Sequence, residues 1–214
     1  MHTYRFYLDA SASSSSEPTG RLAACAVVQD LTGPGGDPLT LLRHWHDLGV
    51  PCDSFTTIAL ALAPGDQTVP RAELLALLLA AQAATTAAVE HAIFVSDCQY
   101  VVNLNSRLAA GDFRSPPLQC TNRDLLARLQ QVWAPGFSVV KVKSHQDVDS
   151  IQGAEAAWEA LGNEHADCAA RLALTRESSF VTELAGDLAM CSKRQRTLLR
   201  SFLAYLVDLG MAEL

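Results

Sequence analysis

Four acidic residues lie where predicted strands end or along predicted helices, positions from which carboxylates can meet. Asp9 closes the strand-like run YRFYL and Asp97 closes the run IFV, whereas Glu73 and Asp167 fall on helical segments. Acids at adjacent strand ends of an open α/β sheet point into the crevice where such sheets bind ligands. Grouped carboxylates repel one another unless a cation neutralises them, and hard oxygen ligands favour Mg²⁺ or Mn²⁺ over zinc. The pattern therefore predicts metal-assisted chemistry on a phosphate.

Each of these acids also has an ordinary structural interpretation. An aspartate at a strand end is often a turn residue or a helix cap, which applies to Asp9 and Asp97 taken singly. Glu73 alone is compatible with a first-turn acid, and Asp167 with a charge on a helix surface. Only their joint order and surroundings favour a shared site.

Apolar runs bounded by turn residues predict the strands that carry these acids. The segment over 50–63 is ambiguous, because it fits either a fourth strand or a prolonged third one. The other predicted strands are Tyr4–Ala10, Arg21–Gln29, Leu39–Leu48, His91–Ser96 and Phe137–Lys143.

Helical composition predicts four helices. The first of them is apolar on nearly every side, which is typical of a central helix covered by sheet and neighbours. Pro70 suits its first turn, and Glu73 then lies near its N-terminus, where the helix dipole favours a carboxylate. The predicted helices are Arg71–Val89, Cys98–Leu108, Asn122–Trp133 and Trp158–Leu174, with a loop over Ser144–Ala157.

Composition describes a globular intracellular protein. The 214 residues are 49% hydrophobic and 18% charged, enough to bury one core. No apolar run reaches membrane length, and no leader precedes the first strand, so we expect a domain of a longer protein and no membrane partner. Six cysteines lack CxxC pairs, which favours free thiols in a reducing compartment of the cytoplasm or nucleus; they are Cys25, Cys52, Cys98, Cys120, Cys168 and Cys191.

The net charge of −7 opposes the binding of a polyanion. Only 16 Lys and Arg face 23 Asp and Glu, whereas basic contacts to phosphate dominate nucleic-acid affinity. Four acids of a metal site account for part of this surplus. We therefore expect the isolated chain to bind nucleic acid weakly.

Five short motifs follow one another in an order that resembles type 1 ribonuclease H. They are DAS, RAEL, SDCQYVV, VVKVKSHQ and GNEHAD, spread from about Tyr4 to Thr175. The spelling QTVPRAELLAL and GNEHAD is most similar to the ribonuclease H domain of a retroelement reverse transcriptase polyprotein. The resemblance implies an α/β ribonuclease H-like fold, a five-stranded mixed sheet flanked by helices, with strands 1–3 antiparallel and 1-4-5 parallel.

The resemblance also implies a reaction and its residues. It implies an endonuclease that hydrolyses the RNA strand of RNA–DNA hybrids with two Mg²⁺ ions, for which Mn²⁺ can substitute. Asp9 would contact both ions, Glu73 and Asp97 the first, and Asp167 the second. His145, on a loop after the last strand, would assist proton transfer or product release; its alternative is an exposed loop histidine.

Further residues match the family's substrate contacts. Ser11, Cys98 and Gln99, together with Glu73, occupy positions that the family uses to read the RNA minor groove. DAS replaces the commoner DGS, a tolerable change of one carbon. Val69-Pro70 stands where the family often has Asn or Gln, and this loss of polar groups lowers the expected affinity. An adjoining reverse transcriptase domain would supply the missing positive surface.

The sequence from 177 onward departs from the family. We predict a ribonuclease H domain over 1–176 and a helical extension over 177–214, whose leucines fall at helical spacing. The extension is expected to pack on the domain; a connector to a next polyprotein region and a basic helix that faces nucleic acid are the alternatives.

Two other classes of function share this fold. A non-catalytic nucleic-acid-binding scaffold would usually have lost an acid, and all four are present. An integrase, transposase or proofreading exonuclease would share the first aspartate but not RAEL, SDCQY and GNEHAD together.

Overall fold

The computed structural model describes residues 3–13, 22–33, 39, 54–114, 117, 119–144 and 151–175. By its internal contacts the chain divides into Met1–Thr175 and Arg176–Leu214. The second unit, the predicted strand beyond Leu39 and His145 all lie outside the described residues. The boundary near residue 176 and the nature of the extension stay predictions.

Five strands form one mixed sheet, which confirms the predicted fold class. They are β1 Thr3–Ala12, β2 Ala23–Asp30, β3 Phe55–Leu62, β4 His91–Ser96 and β5 Phe137–Lys141. The order is β3-β2-β1-β4-β5, antiparallel from β1 to β3 and parallel from β1 through β4 to β5. The ambiguous segment over 50–63 thus supplies the third strand of this sheet, and the predicted bounds of β4 are confirmed.

The helices of the described residues are α1 Val69–Thr86, α2 Gln99–Val102, α3 Asn105–Ala110, α4 Arg123–Val132 and a helix over 154–175, here α5. Helix α1 begins two residues before the predicted start, because Pro70 has no N–H to lose in a first turn. It ends three residues early. Ala88 turns left-handed at φ 53°, and the Val89 and Ala88 N–H groups donate to Ala84 O at 2.8 Å and Thr85 O at 3.0 Å, which closes the helix.

The prediction of one helix over Cys98–Leu108 was wrong. Helices α2 and α3 are separated at Asn103-Leu104, where the Leu104 N–H donates to Val101 O at 3.1 Å. That bond spans three residues instead of four, so the chain tightens into a 3₁₀-type turn at this point.

The predicted loop over Ser144–Ala157 was wrong in its last four residues, because α5 already begins at 154. Trp158 anchors this added turn. Its ring stacks on Phe55 with the centroids 4.8 Å apart, and its Nε1–H donates to Asp30 Oδ2 at 2.8 Å. Much of the extra sequence between β5 and Asp167 therefore lengthens a helix.

The two faces of the sheet are buried by different helices, as the alternation of side chains along a strand requires. Phe6 and Leu8 of β1 join the core on the side of α1, whereas Tyr7 joins the core on the side of α5. Helix α5 contributes small residues to that second core: Ala166, Ala169, Ala170 and Ala173. It can therefore lie close to the sheet.

Two sequence expectations are tested only within the described residues. Cys25, Cys98, Cys120 and Cys168 are free thiols, while Cys52 and Cys191 lie outside this part of the chain. None of the helices in the described segments has the length and apolar character needed to cross a membrane.

Candidate metal centre

Asp9 lies near the end of the central strand. It pairs in register with Ala26 of β2, and only 7% of the residue is exposed. Its Oδ1 accepts a hydrogen bond of 2.7 Å from the Ala10 N–H, which fixes the direction of the carboxylate. The sheet therefore presents one buried acid in a defined orientation.

Glu73 approaches from α1, where it is 3% exposed. Because the helix begins at Val69, Glu73 is its fifth residue and lies beyond the first turn, to which the dipole effect is confined. The predicted stabilisation by the helix dipole therefore does not explain its position. Its Oε2 is buried and has no hydrogen-bond partner among the described residues, a costly state for a carboxyl oxygen.

Asp97 follows β4 directly. Since Leu8 pairs with Ser96 in the parallel register, Asp9 and Asp97 come at equivalent points of adjacent strands, as the sequence predicts. Asp97 is only half-buried, and within the described residues no hydrogen bond or ion pair holds its carboxylate. Its backbone is held instead, because the Asp97 carbonyl accepts a hydrogen bond from Lys141 Nζ.

The fold brings these three acids together. One carboxylate oxygen each from Asp9, Glu73 and Asp97 lies within 4.8 Å of the others. Burial, reinforced by repulsion from Asp97, raises the pKa of Asp9 to about 7. Burial and then the charges of Asp9 and Asp97 raise the pKa of Glu73 well above its ordinary value. Crowded hard oxygens with an unsatisfied Glu73 oxygen fit a divalent cation of the Mg²⁺ type, which would relieve both the repulsion and the missing contact.

Asp167 lies on α5, on the other side of the sheet from α1. It is outside the group of three, but its charge contributes to the raised pKa of Asp9, so it lies within electrostatic range of that carboxylate. Its Oδ2 accepts a hydrogen bond of 2.6 Å from Arg171 Nη2, one helical turn further along. The fourth acid is therefore paired with a cation of its own helix.

The predicted substrate contacts lie on the segments that carry the acids. Ser11 is half-buried in β1, two residues after Asp9. Cys98 is half-buried, its N–H donates to Ser96 Oγ at 3.0 Å, and burial raises the pKa of its thiol. Gln99 is exposed, and its amide donates to Asn103 Oδ1 at 2.8 Å. Their contact with a substrate stays a prediction, as does any role of His145.

Sequence reasoning missed two residues that brace the site. Arg71, two residues before Glu73, donates to Asn122 Oδ1 at 3.1 Å and to both oxygens of Asp124 at 3.0 and 2.5 Å. These bonds tie α1 to the start of α4. The partners are some fifty residues apart, so no local pattern predicts them. The second missed residue, Lys141, lies within the motif VVKVKSHQ, and nothing in that motif distinguishes it from Lys143.

Comparison with known proteins agrees with this geometry. Residues 2–175 match the family model described as RNase H. No curated protein shows a significant match to the sequence. The fold is similar to the solution structure of the PFV RNase H domain, with 17% identity, a TM-score of 0.55, and coverage of 81% of this chain and 95% of that one.

Two longer proteins show the same similarity. The crystal structure of prototype foamy virus protease–reverse transcriptase matches with 17% identity and a TM-score of 0.54, over 79% of this chain and 21% of that one. The foamy viral protease–reverse transcriptase in complex with an RNA/DNA hybrid matches with 15% identity and a TM-score of 0.51, over 81% and 20%. This chain thus spans about a fifth of those proteins, and at such identities the similarity shows the fold.

Proposed function

The chain belongs to the RNase H family, and we propose that it cuts the RNA strand of RNA–DNA hybrids with two divalent metal ions. The observation that carries the proposal is the group of three carboxylates within 4.8 Å of one another, which come from equivalent points of the adjacent parallel strands β1 and β4 and from the buried helix α1. Three carboxylates this close together repel one another, and a bound cation would neutralise that repulsion.

Each acid has a proposed role. Asp9, between the others on the central strand, would contact both ions, with Glu73 and Asp97 holding the first. Asp167 would complete the second site after releasing Arg171. We propose Mg²⁺ as the ion, with Mn²⁺ as a substitute, because all four ligands are carboxylates.

When bound, two such ions supply Lewis-acid catalysis and position the scissile phosphate. Water attacks the phosphorus and the bond to the 3′ oxygen breaks, which leaves a 5′-phosphate and a 3′-hydroxyl. The chain's own contribution is to hold the ligands, exclude water around Asp9 and Glu73, and leave the half-buried Asp97 side open to the hybrid.

His145 would assist proton transfer or product departure, since its charge changes near neutral pH. We expect His145→Ala to slow turnover by about 10²-fold, the lower end for general acid–base help, without abolishing it. Single-turnover cleavage of hybrid measures this. A loss as complete as that caused by Asp97→Asn would identify His145 as a metal ligand or a determinant of the fold.

Recognition of RNA would use the 2′-hydroxyl, which distinguishes it from DNA in the shallow minor groove. Ser11, Cys98 and Gln99 are close in sequence to the acids, on β1 and at the start of α2, and this supports them as the proposed contacts. The net charge is less adverse here than over the whole chain. Residues 97–143, which begin at Asp97 of the site, contain six Lys and Arg against three Asp and Glu, so this segment is basic although the chain carries −7.

The context of the activity is also a proposal. The motif spelling and the fold shared with foamy virus protease–reverse transcriptase support a domain of a retroelement polyprotein that acts in reverse transcription. An adjoining reverse transcriptase domain would then add affinity for the hybrid, and the protein would work inside the cell, in cytoplasm or nucleus.

The decisive experiment compares three labelled substrates of one sequence: RNA–DNA hybrid, duplex DNA and duplex RNA, with Mg²⁺, with Mn²⁺ and with EDTA. We expect the RNA strand of the hybrid to be cut with either metal and left intact in EDTA. The Asp9→Asn protein is the matched control, because it keeps the shape of the side chain and removes its charge. Equal cleavage of duplex DNA, or full activity of the control, would defeat the proposal.

A further inference from the structure

Lys141 contacts the backbone of Asp97, whose carboxylate is neither fully buried nor held by a hydrogen bond from the described residues. Asp9 is fixed by the Ala10 N–H, and Glu73 is enclosed by the core at 3% exposure. The Asp97 side chain has neither form of support among the described residues. The direction of the Asp97 carboxylate therefore depends on the Asp97 backbone, so the hydrogen bonds to that backbone affect the metal site.

Among the described residues, hydrogen bonds hold the chain on both sides of Asp97. The Val142 N–H donates to Ser96 O at 3.1 Å, which extends the β4–β5 ladder past its last pair. The Cys98 N–H donates to Ser96 Oγ at 3.0 Å. The third bond runs from Lys141 Nζ to the Asp97 carbonyl; it holds the same Asp97–Cys98 peptide as the second bond, and it is the one of these three whose donor is a charged side chain.

The register explains why Lys141 reaches this peptide. Lys141 is the last residue of β5 and pairs with Ser96, the last residue of β4. Its exposed side chain therefore extends along the sheet edge beyond β4, where Asp97 follows. A hydrogen bond from a charged donor is about twice as strong as a neutral one, and it orients the carbonyl and hence the Cα–Cβ bond of Asp97.

We infer that Lys141 is a positioning residue for Asp97, which sets the affinity of the three-acid site for its first metal ion. The inference rests on the proposed function, since it takes Asp97 as a ligand. Residues that orient metal ligands typically change affinity by about 10–100-fold when they are lost. We expect the lower end, because Lys141 is exposed and water can replace its donor.

Titration calorimetry of the substrate-free protein with Mn²⁺ tests this without reference to cleavage. Lys141→Met keeps the apolar stem and removes the donor and the charge, and it should weaken the tightest Mn²⁺ site about tenfold. Lys141→Arg restores a charged donor and should recover most of the affinity. Arg128→Met, which removes one positive charge from an exposed position of α4, is the control and should leave the affinity unchanged.

Kinetics separate positioning from substrate binding. With Lys141→Met, turnover at saturating hybrid should fall at low Mg²⁺ and recover at high Mg²⁺, while KM and its salt dependence stay as in the wild type. A raised KM with a flatter salt dependence and unchanged Mn²⁺ affinity would overturn the inference and make Lys141 a phosphate contact. Tighter Mn²⁺ binding would overturn it too, since Lys141 would then act as a competing charge.

Melting in EDTA shows whether each variant folds. If Lys141→Met aggregates, Lys141→Ala gives the same test, because it only shortens an exposed side chain. Unchanged metal affinity in a folded variant would also overturn the inference. Absence of cleavage by the wild-type protein would instead defeat the proposed function, and the Mn²⁺ titration would still report on Lys141.

Discussion

The two sides of the acidic site are held by different means. On the α1 side, the fold itself assembles Asp9, Glu73 and Asp97, through a central strand, a helix buried on every side and a parallel register. On the α5 side, Asp167 sits on a helix that packs through alanines and is paired with Arg171. On the first side the carboxylates repel one another, whereas on the second side the charge of Asp167 is balanced by Arg171. We therefore expect a preformed site that binds the first metal ion tightly, and a second site that forms only when Asp167 leaves Arg171.

Loss of a carboxylate charge from the three-acid group should have the largest effect on cleavage. Asp9→Asn and Asp97→Asn each remove a ligand while they keep the shape of the side chain, so cleavage should fall by about 10³-fold or more, since metal ions contribute several kcal/mol to such reactions. Hybrid cleavage in Mg²⁺ measures the loss. Melting in EDTA should show an unchanged or higher transition temperature, because repulsion is relieved; wild-type rates would mean that the aspartate is only a cap.

Gly162→Ala should disturb the other side through packing. A Cβ at Gly162 would lie 2.3–2.5 Å from three carbons of the Tyr7 ring, which is fully buried and cannot move aside. Helix α5 must therefore shift, at a cost of about 1–3 kcal/mol, and Asp167 with it. Denaturant unfolding measures the cost, and metal titration should show the first site less affected than the second.

Gly33→Ala is the matched control for this change. A Cβ there would meet only Thr3 O at 3.7 Å, an ordinary contact. The variant should unfold as the wild type does. Equal destabilisation by both alanines would show that the contact with Tyr7 is not the cause.

The burial and mutual repulsion of the three carboxylates should make the stability of the metal-free protein depend on pH. Asp9 has a folded pKa of about 7, raised mainly by burial, so its protonated form is favoured by folding. This contribution is fully present below the ordinary aspartate pKa and is lost as the pH rises through 7. In EDTA the free energy of unfolding should fall on the order of 1–3 kcal/mol between pH 4 and 8.

Two comparisons make that measurement specific. Mg²⁺ should restore stability at pH 8, because it binds the ionised carboxylates of the folded protein. Asp9→Asn should flatten the profile in EDTA. A wild-type profile that rises with pH over this range would contradict the assignment.

The smallest effect is expected from the ion pair of α5. Arg171 is more than half exposed and forms an i,i+4 pair with Asp167, so Arg171→Met should cost only about 0.3–0.5 kcal/mol in EDTA. A double-mutant cycle with Asp167→Asn isolates this coupling. The coupling should vanish in saturating Mg²⁺ if the metal takes over Asp167; persistence of the coupling would argue against Asp167 as a ligand.

The sequence by itself determined the features that depend on neighbouring residues or on a simple period. The sheet class, which the order of the motifs implied, was confirmed. The bounds of β4, the burial of α1 and the equivalent positions of Asp9 and Asp97 on adjacent strands were confirmed too, although Asp9 lies inside β1 and not at its end. These last three features follow from local patterning, because the alternation of apolar residues indicates which element forms.

The tertiary structure decided what depends on distant partners. Trp158 could anchor an added turn of α5 only because Phe55 and Asp30 lie against it, and Arg71 braces α1 only through Asp124. The raised pKa of Glu73 follows from its burial beside Asp9, and the bond from Lys141 to the Asp97 carbonyl follows from the β4–β5 register. Such effects require residues that are far apart in the chain to come together in the low-dielectric interior. A sequence pattern does not show which distant residues become neighbours.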